Sequence, residues 1–191
     1  ILRYIRFFLN YSKKNHKTKI IKIIKQNLEG FSKISTERLL DEFKKLVRSH
    51  GFLKLTKDKF CYEIVNLIFP QFKNLSIFKN LNNYAKEKIN NIDFILLISL
   101  IVIDGTDNVD YFIYKFNLSK KDHKRILFLN NFFSTKINSK TFAKNNLQKV
   151  LYFSGKQSLL DLLYFQIFRS KKVDKKLLEM IEFFKDKEPP L

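Results

Sequence analysis

The chain has 191 residues, with 37 Lys plus Arg against 18 Asp plus Glu, and a formal charge of +19. That length is enough for one substantial core, or a core with a small appendage, and it removes any need for a disulfide staple. The charge costs self-repulsion in a compact state and points to a polyanionic partner, nucleic acid first.

Cys61 is the single cysteine, which excludes an internal disulfide and makes a reducing, cytoplasmic setting the natural one. Ile1 opens the chain and Met180 is its sole methionine, so the sequence reads as a fragment or a processed product. Lys, Asn, Ile and Phe are all abundant, as an AT-rich genome would produce. Such a bias does not explain why acids are so outnumbered.

Apolar residues recur at three- and four-residue spacing and period-two alternation is nearly absent, which predicts an all-α fold, an irregular multi-helix bundle. The first helix covers about residues 1–11, with Ile1, Ile5, Phe8 and Leu9 on one face and Arg3 and Arg6 three apart on the other. Two arginines so placed can clamp a phosphate or simply be solvated. A second helix covers about 17–28, and a third about 36–48. In the third, Ser35 is the expected N-cap, Glu37 suits the helix dipole, and Leu39, Leu40, Phe43, Leu46 and Val47 form an apolar stripe. Arg38 and Glu42 are four apart, where an exposed pair contributes about 0.2 to 0.5 kcal/mol.

Further helices are expected at about 57–69, closed by Pro70, and at about 75–88 and 93–103. The apolar run at 94–103 is bounded by Asp93 and Asp104. It falls well short of the about 20 residues of a membrane span, so no membrane partner is expected. Helices at about 109–116, 120–133, 140–153, 156–169 and 174–185 follow, and Pro189 and Pro190 end the chain extended. Gly51 marks an expected boundary between a unit of residues 1–50 and a larger one of 51–191.

Two basic clusters are candidate RNA contacts: Lys120, Lys121, Lys124 and Arg125 in "SKKDHKR", and Lys171 and Lys172 in "RSKKVDKK". Such residues give sequence-independent, salt-sensitive phosphate affinity, or form a solvated surface. His16, His50 and His123 have no carboxylate or cysteine at ligand spacing. Neither a metal site of protein ligands nor a nucleophile and base pair is expected, and no catalytic residue is assigned.

"ILRYIRF", then "ISTERLLDEFKKL", then "YEIVNLIFPQF", with "YKFNLSKKDHKRIL" and the closing "KEPPL" further on, resembles the neck and body of the bacterial tRNA nucleotidyltransferase (CCA-adding enzyme) and poly(A) polymerase family. The family's order is an arginine-rich RxxRxxRF segment, an ISxERxxxE helix and a proline-terminated segment. The resemblance implies a seahorse-shaped, all-helical C-terminal portion of an enzyme that adds CCA, or A residues, to RNA 3′ ends. By carry-over, Arg3 and Arg6 match the last two arginines of the neck. Glu37, Arg38 and Glu42 match the helix that supports the nucleotide-reading segment. The body implies tRNA as partner. Mg and ATP or CTP belong to the N-terminal catalytic head, whose phosphate loop, DxD pair and RRD segment do not occur here. By itself this fragment is expected to be inactive and to need no cofactor. A poly(A) polymerase and a stand-alone basic helical RNA-binding module are the alternatives.

Overall fold

A computed structural model describes residues 1–135 and 141–187. The expected extended ending at Pro189 and Pro190 lies outside the described residues, as does Lys140. Among the described residues the fold is all-α, an irregular bundle with no strand. The helices are α1 (Leu2–Tyr11), α2 (Thr18–Gln26), α3 (Thr36–Val47), α4 (Lys59–Ile68), α5 (Asn83–Lys88), α6 (Phe94–Val102), α7 (Asn108–Phe116), α8 (Lys120–Ser134), α9 (Lys144–Arg169) and α10 (Lys175–Lys185).

Polar side chains start most of these helices by supplying the acceptor that the first backbone amides lack. Ser35 accepts from the Arg38 amide, Asp58 from Cys61, Asn82 from Ala85, Ser119 from Asp122 and Asp174 from Lys176. Asp93 accepts from both Ile95 and Leu96. Gly155 interrupts α9 with φ of 81°, a left-handed conformation that glycine adopts without steric cost, so the two expected helices on either side of it meet end to end.

The one long helix expected at 75–88 is instead a 3-10 stretch, Leu75–Lys79, followed by α5. Asn82 is the cause. It takes an extended backbone (φ −66°, ψ 168°) and turns its amide inward. Its Nδ2 donates to the carbonyls of Ile167 at 2.8 Å and Ser170 at 2.9 Å. Those carbonyls lie at the C-terminal end of α9, where helical partners run out, and a buried amide that serves them outweighs a continuous local helix.

The core is aromatic. Phe43 of α3 is fully buried, with its ring centroid 4.7 Å from Phe72, 5.3 Å from Phe69 and 6.4 Å from Phe52. Each buried ring contributes about 1.5 to 3 kcal/mol of transfer free energy. α6 lies in the middle, its residues 96–102 all buried, and packs against α7, α8 and α9. One apolar cluster runs from Leu2 to Phe168 and a second joins α9 to α10 through Leu163, Ile167, Leu177 and Ile181.

The expected division at Gly51 does not separate two cores, because residues on both sides of it share the first cluster. Gly51 is a contact point: its amide donates to Asn10 Oδ1 at 2.6 Å, and a Cβ built there would stand 2.5 Å from the carbonyl carbon and oxygen of Leu9. Gly51→Ala must push α1 off the turn at Phe52–Lys54 and should cost about 1 to 3 kcal/mol, the usual range for overpacking. Gly30→Ala has nothing within 4 Å of its added methyl and serves as the control. Urea titration followed by far-UV circular dichroism reads both, and equal midpoints would refute the contact.

Candidate functional site

Helices α1 and α3 pack side by side, and their charged residues meet at one end. Glu42 is mostly buried, with its side chain 18% exposed, and its Oε1 lies 3.7 Å from Arg3 Nη2 and 3.2 Å from Lys45 Nζ. Its other oxygen, Oε2, is buried with no hydrogen-bond partner among the described residues. The expected pairing of Arg38 with Glu42 is therefore replaced by a link between helices. Arg38 and Glu37 are exposed. A cavity of about 270 Å³ gathers Ile1, Arg3, Phe31, Arg38 and Glu42 along one wall. Arg6 is half-buried, with its guanidinium 5.4 Å from the Phe7 ring. Of the five residues singled out here, the structure brings Arg3, Arg38 and Glu42 together, and Glu37 stays outside.

Lys120, Lys121 and Lys124 are exposed on the first two turns of α8, as are Lys171 and Lys172 in the turn before α10. Arg125 is a correction. It sits on the inner face of α8, where its Nε donates to Asp161 Oδ2 at 2.7 Å and its Nη2 donates to Asp161 Oδ1 at 2.8 Å and to Asp93 Oδ1 at 2.7 Å. Side-chain exposure is 10% for Arg125 and 3% for Asp161. A guanidinium so enclosed cannot reach an RNA phosphate. Helical phase explains the difference: Arg125 follows Lys124 directly and so faces about 100° away from it around the axis.

A second basic surface was not legible in the sequence. The loop after α1 and the start of α4 bound an open groove of about 610 Å³ lined by Lys13, Lys14, Lys54, Lys57 and Lys59. Lys54 Nζ donates to the Leu9 carbonyl at 3.0 Å, closing the C-terminal end of α1, and the others are exposed. At the floor lie His16 and Asp58, with Cys61 buried behind them. His16 Nε2 is 3.1 Å from each Asp58 oxygen, its Nδ1 is 2.8 Å from the Tyr4 hydroxyl, and its ring stacks on Phe8 at 3.6 Å.

His16 has no carboxylate or cysteine at ligand spacing along the sequence, yet the fold brings both to it. His16 and Asp58 are 42 positions apart, and only the folding of the 12–17 loop over α4 joins them. Burial pushes the Cys61 thiol well up. For Asp58 burial acts upward, but hydrogen bonds from the Cys61 amide and His16 outweigh it and hold the carboxyl below its ordinary value.

Burial also works against ionised Asp93, yet the Arg125 guanidinium and the amides of Leu96 and Ile95 more than offset it, and the carboxyl titrates below its usual value. A carboxyl depressed by folding adds stability that is present above the unfolded value of about 3.9 and is lost as pH falls through the lower folded value. Acidification should therefore weaken the fold below about pH 4. Asp93→Asn should be less stable at neutral pH and lose less on acidification. The chain has no tryptophan, so circular dichroism is the readout. Parallel pH profiles for the two proteins would overturn the assignment. No protein-family model matches the chain, and no curated protein matches it at a significant level.

Proposed function

We propose that this chain is the neck and body of a tRNA nucleotidyltransferase, gripping tRNA by its backbone and bracing the segment that reads the incoming nucleotide during CCA addition. The supporting observation is the link from Glu42 of α3 to Arg3 of α1. These are the two helices whose motifs resemble the family's arginine-rich and ERxxxE segments, and one matched charge from each, Arg3 and Glu42, is in contact. The Arg3 side chain is 69% exposed, so the link contributes at most about 1 kcal/mol and serves to orient α1 against α3. The pair acts by positioning and carries out no bond chemistry.

Exposed lysines on α8, in the turn before α10 and around the groove beside α4 supply the electrostatic footprint of an RNA-binding surface. Folded RNA is recognised largely by shape and phosphate contacts, which suits lysine clusters spread over a rigid helical body. ATP, CTP and Mg belong to a catalytic head that precedes this region, and the chain's own part is docking and support.

Two measurements test this. Fluorescence anisotropy with tRNA lacking its 3′ end should show affinity falling steeply from about 50 to about 200 mM salt. Changing Lys120, Lys121 and Lys124 to Gln should reduce the salt slope by about 2 to 3, and salt-insensitive binding would sink the docking account. The chain joined to its upstream reading frame should incorporate both C and A from CTP and ATP. A product without C would move the reading to polyadenylation, and an upstream frame without a DxD pair would reduce it to a stand-alone RNA-binding module.

A further inference from the structure

The loop between α1 and α2 carries His16 across the first turn of α4, where three different metal-ligating atoms meet. His16 Nε2, an Asp58 carboxylate oxygen and Cys61 Sγ all lie within 4.8 Å of one another. Nε2 is 3.1 Å from each Asp58 oxygen and 3.7 Å from Sγ. A tetrahedral zinc ion, with bonds of about 2.0 to 2.3 Å, sets nitrogen and oxygen about 3.3 Å apart and nitrogen and sulfur about 3.5 Å apart. Both distances from His16 Nε2 stand within a few tenths of an ångström of that spacing, and the Asp58 oxygen and Cys61 Sγ lie within 4.8 Å of each other. The same three groups also satisfy one another by hydrogen bonds, the thiol reaching both His16 Nε2 and the Asp58 carboxylate, so the metal is what experiment must distinguish.

We infer that His16, Asp58 and Cys61 form a three-ligand site for a zinc ion, with a fourth position facing the lysine-lined groove. The division of labour among the atoms fits. Asp58 Oδ1 caps α4 through the Cys61 amide at 2.9 Å, which leaves Oδ2 for the metal. With Nε2 on zinc, the ring hydrogen sits on Nδ1 and donates to the Tyr4 oxygen 2.8 Å away, the outer hydrogen bond that fixes a ligating histidine. Phe8, stacked at 3.6 Å, holds the ring plane.

Charge is balanced too. Thiolate and carboxylate together cancel the ion's two positive charges, so the surrounding lysines face a neutral centre. Forming the Zn–S bond breaks the S–H bond, and the proton leaves to solvent. Because the thiol proton is released on binding, uptake strengthens as pH rises. The open fourth position takes water or an anionic oxygen drawn in by Lys13, Lys14, Lys57 and Lys59. A mixed nitrogen, sulfur and oxygen donor set at tetrahedral spacing selects zinc over magnesium or calcium.

This inference does not depend on the RNA reading, and its test needs no RNA. The purified chain, dialysed against buffer free of chelator, should retain about one equivalent of zinc by elemental mass spectrometry. Cobalt titrated in its place should give a sulfur-to-cobalt charge-transfer band in the near ultraviolet and the intense visible bands of a tetrahedral ion. Cys61→Ser should abolish the charge-transfer band, and Tyr4→Phe should weaken zinc binding by about 10- to 100-fold. Because the spectrum is read on the unaltered protein, a variant that fails to fold does not blur the answer. Zinc absent after dialysis together with no charge-transfer band on cobalt addition overturns the site. A cobalt spectrum without the sulfur band overturns Cys61 as a ligand and leaves a hydrogen-bonded cluster only.

Discussion

One guanidinium organises the centre of this molecule. Arg125 of α8 bonds to both carboxylate oxygens of Asp161 on α9 and to Asp93, the residue that starts α6. These three helices pack against one another, and α6 between them is almost wholly apolar. Apolar packing is non-directional and leaves sliding and rotation of such helices weakly specified. A planar fork that must face two carboxylates at once admits one relative placement. Gln157 adds a third donor to Asp161, at 2.9 Å from Oδ1, so both carboxylate oxygens are satisfied where water is scarce.

The positive charge is distributed to match this arrangement. Lysines occupy the outer faces of α2, α8 and α10 and the rim of the groove beside α4, while the arginines that the fold uses internally are paired or laid against rings. Arg169, for example, sits 4.5 Å from the Phe133 ring centroid and 5.3 Å from that of Phe165. This division follows from the two cations. The guanidinium is weakly hydrated, rigid and able to bond in two directions, whereas the ammonium holds its water and stays at the surface. A cationic exterior on an aromatic interior is thus a consequence of side-chain chemistry as much as of any partner.

Much of this was legible beforehand. The helical period, the cap at Ser35 and the break at Gly155 all announce themselves locally, because each depends on residues within one or two turns. Asn82 escaped notice because its amide answers to carbonyls more than 80 residues away, and no local pattern encodes that demand. Arg125 looked like one more cation in a basic run, since its inward aim is set by Asp161 on another helix. The His16, Asp58 and Cys61 cluster was invisible for the same reason: metal-ligand spacing within a sequence finds sites built from one local segment, and this one is assembled from a loop and a distant helix start. Side-chain networks that cross between elements are the part of the molecule that only three dimensions disclose.

The left-handed residue in the middle of α9 has an effect on how this sequence can change. In an unbroken helix each inserted residue turns everything beyond it by about 100°. Gly155 uncouples the two halves, so length variation in residues 144–154 need not rotate the segment that carries Asp161. Insertions that would otherwise swing that carboxylate out of register with its cation can be absorbed upstream. The chain thereby gains freedom to vary one arm while the other stays locked in phase.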